Sequence, residues 1–245
     1  QTLAFPLSEK RDGKTGDSLR TLIITPASLV YNWKKEIARF TPELTCKVLT
    51  GTVATRQELI GPDNDADIWI TSYDLLKRDI TLYEDIIFAN QIIDEAQYIK
   101  NHATQASKAV RLIQSNFRLA LTGTPIENQL SELWSIFDYL MPGFLYNYPT
   151  FKNRYESAIV NDQDKETSDR LRRLVHPFIL RRLKKDVLKE LPDKIEKVVS
   201  VHLEGEQKKL YDAYAQRLKL YLAKQSPEEF RQSKLEILKE LTRLR

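Results

Sequence analysis

The chain has 245 residues, of which 42% are hydrophobic and 29% are charged, and its formal net charge is +4. These values are typical of a globular protein with one substantial core, and they exclude a disordered or fibrous chain. The single cysteine, Cys46, excludes an internal disulfide and favours a reducing compartment. No run of about 18 apolar residues exists, so we expect no membrane-spanning segment.

Short apolar runs alternate with amphipathic stretches between Arg20 and Thr124. This alternation predicts strands joined by helical crossovers in a parallel sheet. Apolar residues at three- and four-residue spacing predict a helix after the first strand and another before the last one. The predicted strands are Thr21 to Thr25, Lys47 to Leu49, Ile68 to Thr71, Gln91 to Ile93 and Arg118 to Leu121, and the predicted helices are Leu29 to Phe40 and Asn101 to Ile113.

The strand signal fades after Pro125, and helical stripes replace it. The first stripe ends at Pro142 and Gly143, and two more stripes near the end of the chain are interpreted as core packing. We therefore predict an α/β domain over 1–140, followed by a mostly helical extension over 141–245.

Asp94 and Glu95 stand where the apolar run from Gln91 to Ile93 ends. The carboxyl ends of parallel strands form the edge at which open α/β sheets bind ligands. Two adjacent carboxylates there suit metal-assisted phosphate chemistry, in which Asp94 holds magnesium, usually through water, and Glu95 deprotonates an attacking water. The acid-rich first turn of a helix is the competing explanation of the pair.

A second polar turn follows the next predicted strand, which ends at Leu121. Thr122 and Thr124 flank Gly123, a residue that allows close backbone approach, and Pro125 stiffens the turn. Such a turn can sense a phosphate or a neighbouring acid. A plain turn explains either motif alone but explains the two together poorly.

With these residues, the chain closely resembles the Swi/Snf-like family of superfamily two ATPases, which translocate on double-stranded DNA. The resemblance covers essentially the whole chain and rests on five segments. They are Thr25-Pro26-Ala27-Ser28-Leu29-Val30 with Asn32-Trp33, Thr71-Ser72-Tyr73-Asp74, the acid box Asp94-Glu95-Ala96-Gln97, Leu121 to Asn128, and Pro177 to Arg182 with Lys184-Lys185-Asp186-Val187 and Leu191-Pro192. The last segment is the most diagnostic, because general helicases lack it.

The resemblance implies a RecA-like parallel sheet with flanking helices and a DNA-dependent ATPase that uses ATP and magnesium. It implies that Asp94 binds magnesium and that Glu95 is the general base. The residues implied to couple the nucleotide state to DNA contacts are Gln97, Thr122, Gly123 and Thr124. Those implied to bind DNA, mainly through sequence-independent backbone contacts, are Thr25, Pro26, Ser28, Thr71, Ser72, Tyr73, Asn128, Arg181, Arg182, Lys184 and Lys185.

Gln97 departs from the family pattern, in which this box most often ends in histidine. Glutamine still donates and accepts hydrogen bonds. The departure therefore bears on the details of coupling and leaves the implied activity class unchanged.

No phosphate loop is recognisable in the sequence. The one Gly-Lys-Thr, at 13–15, has Ser8 where the first glycine of the loop belongs, and charged residues precede it where a buried strand belongs. We predict a polar surface turn there. In the family a helix resembling Gln1 to Ala4 follows the loop, and Leu235 to Arg245 resembles the helix that leads to a second RecA-like lobe. The chain is therefore expected to be a fragment that does not hydrolyse ATP alone.

Basic residues greatly outnumber acids between Arg170 and Lys189. This stretch suits a phosphate-rich partner, and a solvated helical face explains it equally well. Under the resemblance it binds DNA or braces the second lobe.

Three functions are open to a chain with these motifs. The first is a motor that grips double-stranded DNA and acts on DNA-bound proteins, located with the nucleoid in bacterial cytoplasm or in a eukaryotic nucleus. The second is a strand-separating DNA or RNA helicase, against which the segment at Arg181 and Arg182 argues. The third is a non-catalytic DNA-binding scaffold, against which the Asp94 and Glu95 pair argues.

Overall fold

The computed structural model describes residues 1–61, 64–123, 129–182, 197, 199–200 and 202–244. These residues form two compact units, Gln1–Leu180 and Arg181–Arg245. The predicted division into an α/β domain over 1–140 and a helical extension over 141–245 was based on the loss of strand signal in the sequence, and it stays a prediction.

The first unit is built on a five-stranded parallel sheet. Its strands are β1 (Thr21–Thr25), β2 (Cys46–Val48), β3 (Ile68–Ser72), β4 (Ile87–Ile93) and β5 (Gln114–Ala120). Their order across the sheet is β2-β3-β1-β4-β5. The two strands between β2 and β4, β3 and β1, are buried along their whole length, which explains their continuous apolar sequence. The predicted parallel sheet is thus confirmed.

Strands β4 and β5 begin earlier than predicted, because a buried Asn90 interrupts the apolar pattern of β4 and β5 opens with polar, largely exposed residues. In β4, the Asn90 side chain donates to the hydroxyl of Thr21 at 3.2 Å, and the Gln91 side chain donates to the carbonyl of Val110 at 2.8 Å. These partners offset the cost of burying an amide. Polar residues that would suggest a loop therefore continue a strand.

Helices pack on both faces of the sheet and continue after it. None of the helices in the described parts of the chain is long and apolar enough to cross a bilayer. The first unit contains α1 (Ala4–Arg11), α2 (Val30–Phe40), α3 (Val53–Leu59), α4 (Tyr73–Asp79), α5 (Gln105–Leu112), α6 (Leu130–Leu140), α7 (Tyr148–Phe151), α8 (Ser157–Val160) and α9 (Lys165–Val175). The second contains α10 (Gly205–Ala223), α11 (Pro227–Gln232) and α12 (Lys234–Leu244).

Side-chain caps set the starts of α3, α4 and α5. The hydroxyls of Thr52, Ser72 and Thr104 accept hydrogen bonds from backbone N–H groups in the first turns of α3, α4 and α5. The cap at Thr104 also explains why α5 begins at Gln105 and not at Asn101, where the sequence pattern placed the start.

Strand side chains alternate between two hydrophobic clusters, one on each face of the sheet. Leu22 and Ile24 point into a cluster shared with α4, α5 and α6, whereas Ile23 points into a cluster shared with α1 and α2. A third cluster joins α6 to α7 and α9. In α10 and α12 only Leu218 and Ile237 are buried, so the interpretation of these stripes as core packing is wrong for most of their members.

Candidate active site

Asp94 directly follows β4 at the carboxyl edge of the sheet, and hydrogen bonds fix its side chain. Its Oδ2 accepts from Nε1 of Trp33 at 2.8 Å and from the hydroxyl of Thr25 at 3.2 Å. Its Oδ1 accepts from the N–H of Glu95 at 2.9 Å. The backbone N–H of Asp94 donates to the carbonyl of Ile24 at 2.8 Å, which continues the pairing with β1. The carboxylate therefore has one orientation that three elements define.

These contacts fit a magnesium ion that the protein holds through few ligands. Magnesium usually keeps several waters and binds one or two carboxylates together with substrate phosphates. Asp94 provides a hard oxygen donor, and its Oδ1 makes one described hydrogen bond, so further lone pairs remain for a water or an ion. The donor set thus matches the metal that the sequence predicts.

Glu95 has a left-handed backbone, with φ 53° and ψ 55°. For a residue other than glycine this conformation costs on the order of 1 to 3 kcal/mol, and it persists only when neighbours determine it. The N–H of Ala96 donates to the carbonyl of Leu121 at 2.8 Å, and the N–H of Tyr98 donates to the carbonyl of Glu95 at 3.0 Å. The strain therefore lies at the residue that the sequence predicts to be the base.

Gln97 connects the acid box to the end of β5. Its Nε2 donates to Oε2 of Glu95 at 2.6 Å, and its Oε1 accepts from the hydroxyl of Thr122 at 3.1 Å. All three side chains are half-buried, which favours retention of these contacts over exchange with water. One amide thus joins the predicted base to the predicted coupling turn.

Gly123 is exposed, and a Cβ added to it would meet nothing within 4 Å. Its φ does not lie in the positive region either. The described structure therefore gives no steric need for glycine at this position. Two other predicted site residues of this loop, Thr124 and Asn128, lie outside the described residues.

The first predicted DNA-binding segment divides into buried and exposed residues. Thr25 is fully buried and bonds to Asp94, and Pro26 is buried as well. The hydroxyl of Thr25 therefore orients the acid, and contact of Thr25 and Pro26 with DNA stays a prediction. Ser28 is exposed, so its hydroxyl is available to a partner.

The second predicted DNA-binding segment is buried. Thr71, Ser72 and Tyr73 are each at most 3% exposed. The hydroxyl of Ser72 caps α4, and that of Tyr73 donates to the carbonyl of Asp94 at 2.7 Å. The hydroxyls of Ser72 and Tyr73 therefore have partners within the protein, and contact of this segment with DNA stays a prediction.

Arg181 and Arg182 are exposed. Lys184 and Lys185 lie outside the described residues. DNA contact by these basic residues stays a prediction.

Trp33 is a site residue whose role the sequence did not reveal. The spacing of the apolar residues around Trp33 indicated only that it lies on the buried face of α2, and the resemblance to the family motif suggested contact with DNA. An indole N–H in a folded core needs an acceptor, and this is the signal that could have suggested a nearby polar site. A cavity of about 530 Å³ also opens beside Asp94, lined mainly by Leu3, Leu7, Asn32, Trp33, Glu36 and Phe40.

The Gly-Lys-Thr sequence at 13–15 is a surface turn after α1, as predicted. Lys14 pairs with Glu9 at 2.5 Å, and the N–H of Thr15 donates to the hydroxyl of Ser18 at 3.1 Å. A helix precedes it and β1 follows it, which is the reverse of the strand and helix that flank a phosphate loop.

Comparison with known proteins matches residues 1–245 to the SNF2-related domain family. The chain is 41% identical over 198 residues to an uncharacterized ATP-dependent helicase of Mycoplasma genitalium, covering 81% of the chain and 19% of that protein. It is 38% identical over 222 residues to the TATA-binding protein-associated factor MOT1 of Saccharomyces cerevisiae, covering 86% of the chain and 12% of that protein.

The fold is also similar to that of a solved structure, the Sulfolobus solfataricus SWI2/SNF2 ATPase core in complex with dsDNA. The TM-score is 0.66 at 34% identity, covering 97% of the chain. The chain spans 49% of that structure's chain, and it spans less than a fifth of the two relatives above. The match to the family over all 245 residues and the agreement in fold show that this chain belongs to the SNF2-related domain family.

Proposed function

We propose that the protein containing this chain is an ATP-driven translocase on double-stranded DNA, which couples hydrolysis to movement on DNA or to remodelling of protein–DNA complexes. The observation that carries the proposal is the continuous contact from Asp94 and Glu95 through Gln97 to Thr122. It joins the acid pair that follows β4 to the turn that follows β5, so a displacement of the turn alters the position of the acid pair, and the reverse.

In this proposal the acid pair divides the work at the nucleotide. Asp94 would hold the magnesium ion of bound ATP, and this ion supplies charge neutralisation at the phosphate oxygens. Trp33 and Thr25 keep the Asp94 carboxylate in one orientation during this work. Glu95 orients the attacking water and accepts its proton.

Gln97 is the proposed coupling residue. Its side-chain N–H donates a hydrogen bond to one carboxylate oxygen of Glu95, while its side-chain carbonyl oxygen accepts a hydrogen bond from the Thr122 hydroxyl. A shift of the Thr122 turn that changes this bond therefore also changes the position of the base. DNA binding that shifts the turn would in this way alter the rate of hydrolysis.

Double-stranded DNA is the proposed partner, with DNA-bound proteins as further ones. The exposed Ser28 at the carboxyl edge offers a hydroxyl for a phosphate contact of the sequence-independent kind. The Sulfolobus relative was solved with dsDNA, and MOT1 is named for association with the TATA-binding protein. The longer Sulfolobus chain supports a second RecA-like lobe in the intact protein.

Replacing Glu95 with glutamine in the intact protein tests the proposal. We expect nucleotide binding to persist while DNA-stimulated ATP hydrolysis falls by about 100-fold or more, because only the base is removed. Glu58→Gln on the exposed surface of α3 is the matched control and keeps wild-type turnover. Turnover by Glu95→Gln equal to that of the control would refute the role of this residue.

The same protein separates the translocase from a helicase. Relatives from Mycoplasma carry the helicase name, and one from Bacillus subtilis has both helicase and translocase in its name, so strand displacement from a forked duplex is measured beside displacement of a third strand from a triplex. We expect ATP-dependent triplex displacement without separation of the duplex. Efficient separation of the duplex would favour the helicase instead.

A further inference from the structure

Tyr98 is a large aromatic side chain at the surface beside the acid pair. It is 52% exposed, whereas Tyr73 is only 3% exposed. The two rings are nearly parallel, with centroids 5.0 Å apart and an interplanar angle of 6°. This distance is within the range of stacked aromatic pairs. Tyr98 therefore covers one face of Tyr73.

Tyr73 acts on the backbone of the acid box. Its hydroxyl donates to the carbonyl oxygen of Asp94 at 2.7 Å. This carbonyl belongs to the peptide group that joins Asp94 to Glu95, and peptide groups are planar, so the bond fixes the plane from which the backbone of Glu95 continues. A phenolic hydroxyl is protonated at neutral pH, so that of Tyr73 is available as a hydrogen-bond donor.

Glu95 requires restraint on both sides because of its positive φ of 53°. The Tyr73 hydroxyl restrains the peptide group before it, and the N–H of Tyr98 restrains the carbonyl after it at 3.0 Å. Tyr98 thus contributes twice, through its own N–H and through the ring that covers Tyr73.

We propose that Tyr73 and Tyr98 are a positioning pair that holds Glu95 in the left-handed conformation from which its carboxylate reaches the attacking water. The inference rests on the proposed function, because it takes Glu95 as the base of ATP hydrolysis. Tyr73 restrains the peptide directly. Tyr98 acts through Tyr73, because the stacked ring keeps water from competing for the carbonyl of Asp94.

Four variants of the intact protein, three single and one double, test the pair by DNA-stimulated ATP hydrolysis. Tyr73→Phe removes the hydroxyl, and Tyr98→Ala removes the stacked ring. We expect each to lower kcat about tenfold while KM for ATP stays within about twofold, because the loss falls on the chemical step. Tyr98→Phe keeps the stack and is expected to retain wild-type kcat. The double variant Tyr73→Phe, Tyr98→Ala should lose no more than the worse single variant, because both act on one restraint.

Tyr139→Phe is the matched control for a general loss of stability. Its buried hydroxyl donates to the carbonyl of Gln91 in β4 at 3.1 Å and makes no described hydrogen bond to Asp94 or Glu95. This variant should lower Tm about as much as Tyr73→Phe and leave kcat unchanged. An equal loss of kcat in Tyr139→Phe, or wild-type kcat in Tyr98→Ala, would overturn the positioning role.

Backbone hydrogen exchange separates this inference from the proposed function. Tyr73→Phe and Tyr98→Ala should speed exchange at the amides of Glu95, Ala96 and Gln97, and Tyr139→Phe should not. Unchanged exchange at these amides would overturn the inference even where the wild-type protein hydrolyses ATP. If both variants exchange faster at these amides but the wild-type intact protein does not hydrolyse ATP, the proposed function is rejected, and with it the catalytic purpose of the pair.

Discussion

Replacing Gln97 with alanine breaks both hydrogen bonds between the acid box and the Thr122 turn. A hydrogen bond to a charged group contributes about 1.5 to 3 kcal/mol, and one between neutral groups contributes about 1 kcal/mol. Because these side chains are half-buried, water replaces part of this interaction, and we take a net loss of about 2 kcal/mol. At about 1.4 kcal/mol per factor of ten, this corresponds to a fall in kcat of about 30-fold.

The assay is DNA-stimulated ATP hydrolysis by the intact protein, with kcat and KM determined separately. KM for ATP should change little, because Gln97 contacts the base and the coupling turn. Gln97→Glu should lose more, because it places a carboxylate where an N–H now lies 2.6 Å from Glu95. Gln57→Ala on the exposed surface of α3 is the control. A kcat for Gln97→Ala within about twofold of the control would refute coupling through the amide.

Two further predictions concern stability and are measured by urea unfolding of the chain. Asp79→Asn should destabilise it by about 3 kcal/mol, the low end for breaking a buried ion pair, because it leaves the buried Arg56 without its charged partner. The double variant Asp79→Leu, Arg56→Met should recover most of the loss, and a double variant as unstable as Asp79→Asn would contradict this reasoning. Burial raises the pKa of Asp67, but hydrogen bonds from Lys10 and Thr45 outweigh this and leave the pKa below its usual value. Because the pKa of Asp67 is lower in the folded than in the unfolded protein, where it is about 4, this carboxylate adds to the free energy of unfolding above that pH. The added stability is lost as the pH falls through the folded pKa. Asp67→Asn should therefore flatten the acid side of the plot of unfolding free energy against pH. An acid limb as steep as that of the wild type would show that this carboxylate is not responsible.

The centre of the sheet was predictable because β1 and β3 are buried along their whole length. Continuous apolar runs such as Thr21–Thr25 have no competing explanation between two turn-rich segments. The early parts of β4 and β5 were not predictable, because Asn90 is polar and finds its partner only after the chain folds, and β5 begins with polar, largely exposed residues. A sequence records the polarity of a side chain but not the acceptor that distant residues supply.

The candidate site was predictable in its acids and not in their supports. Asp94 and Glu95 stand out because they follow one predicted strand and the Thr122-Gly123-Thr124 turn follows the next, a combination that a plain turn explains poorly. Trp33 lies far from Asp94 along the chain, and only the folded sheet brings its N–H to the carboxylate. Hydroxyl residues such as Thr71 suggested DNA contact because a sequence does not distinguish a buried hydroxyl from an exposed one. Their burial follows from the position of β3 inside the sheet.

The amide of Gln97 gives the contact between Glu95 and Thr122 a fixed direction. If the amide were rotated by half a turn, its carbonyl oxygen would face the Glu95 carboxylate, and its N–H would face a hydroxyl that must then act as acceptor. An imidazole at this position would gain or lose a proton near pH 6.5, whereas an amide gains none across the physiological range. A cell whose internal pH drifts would therefore retain this contact unchanged, at the cost of a signal that a histidine could have provided.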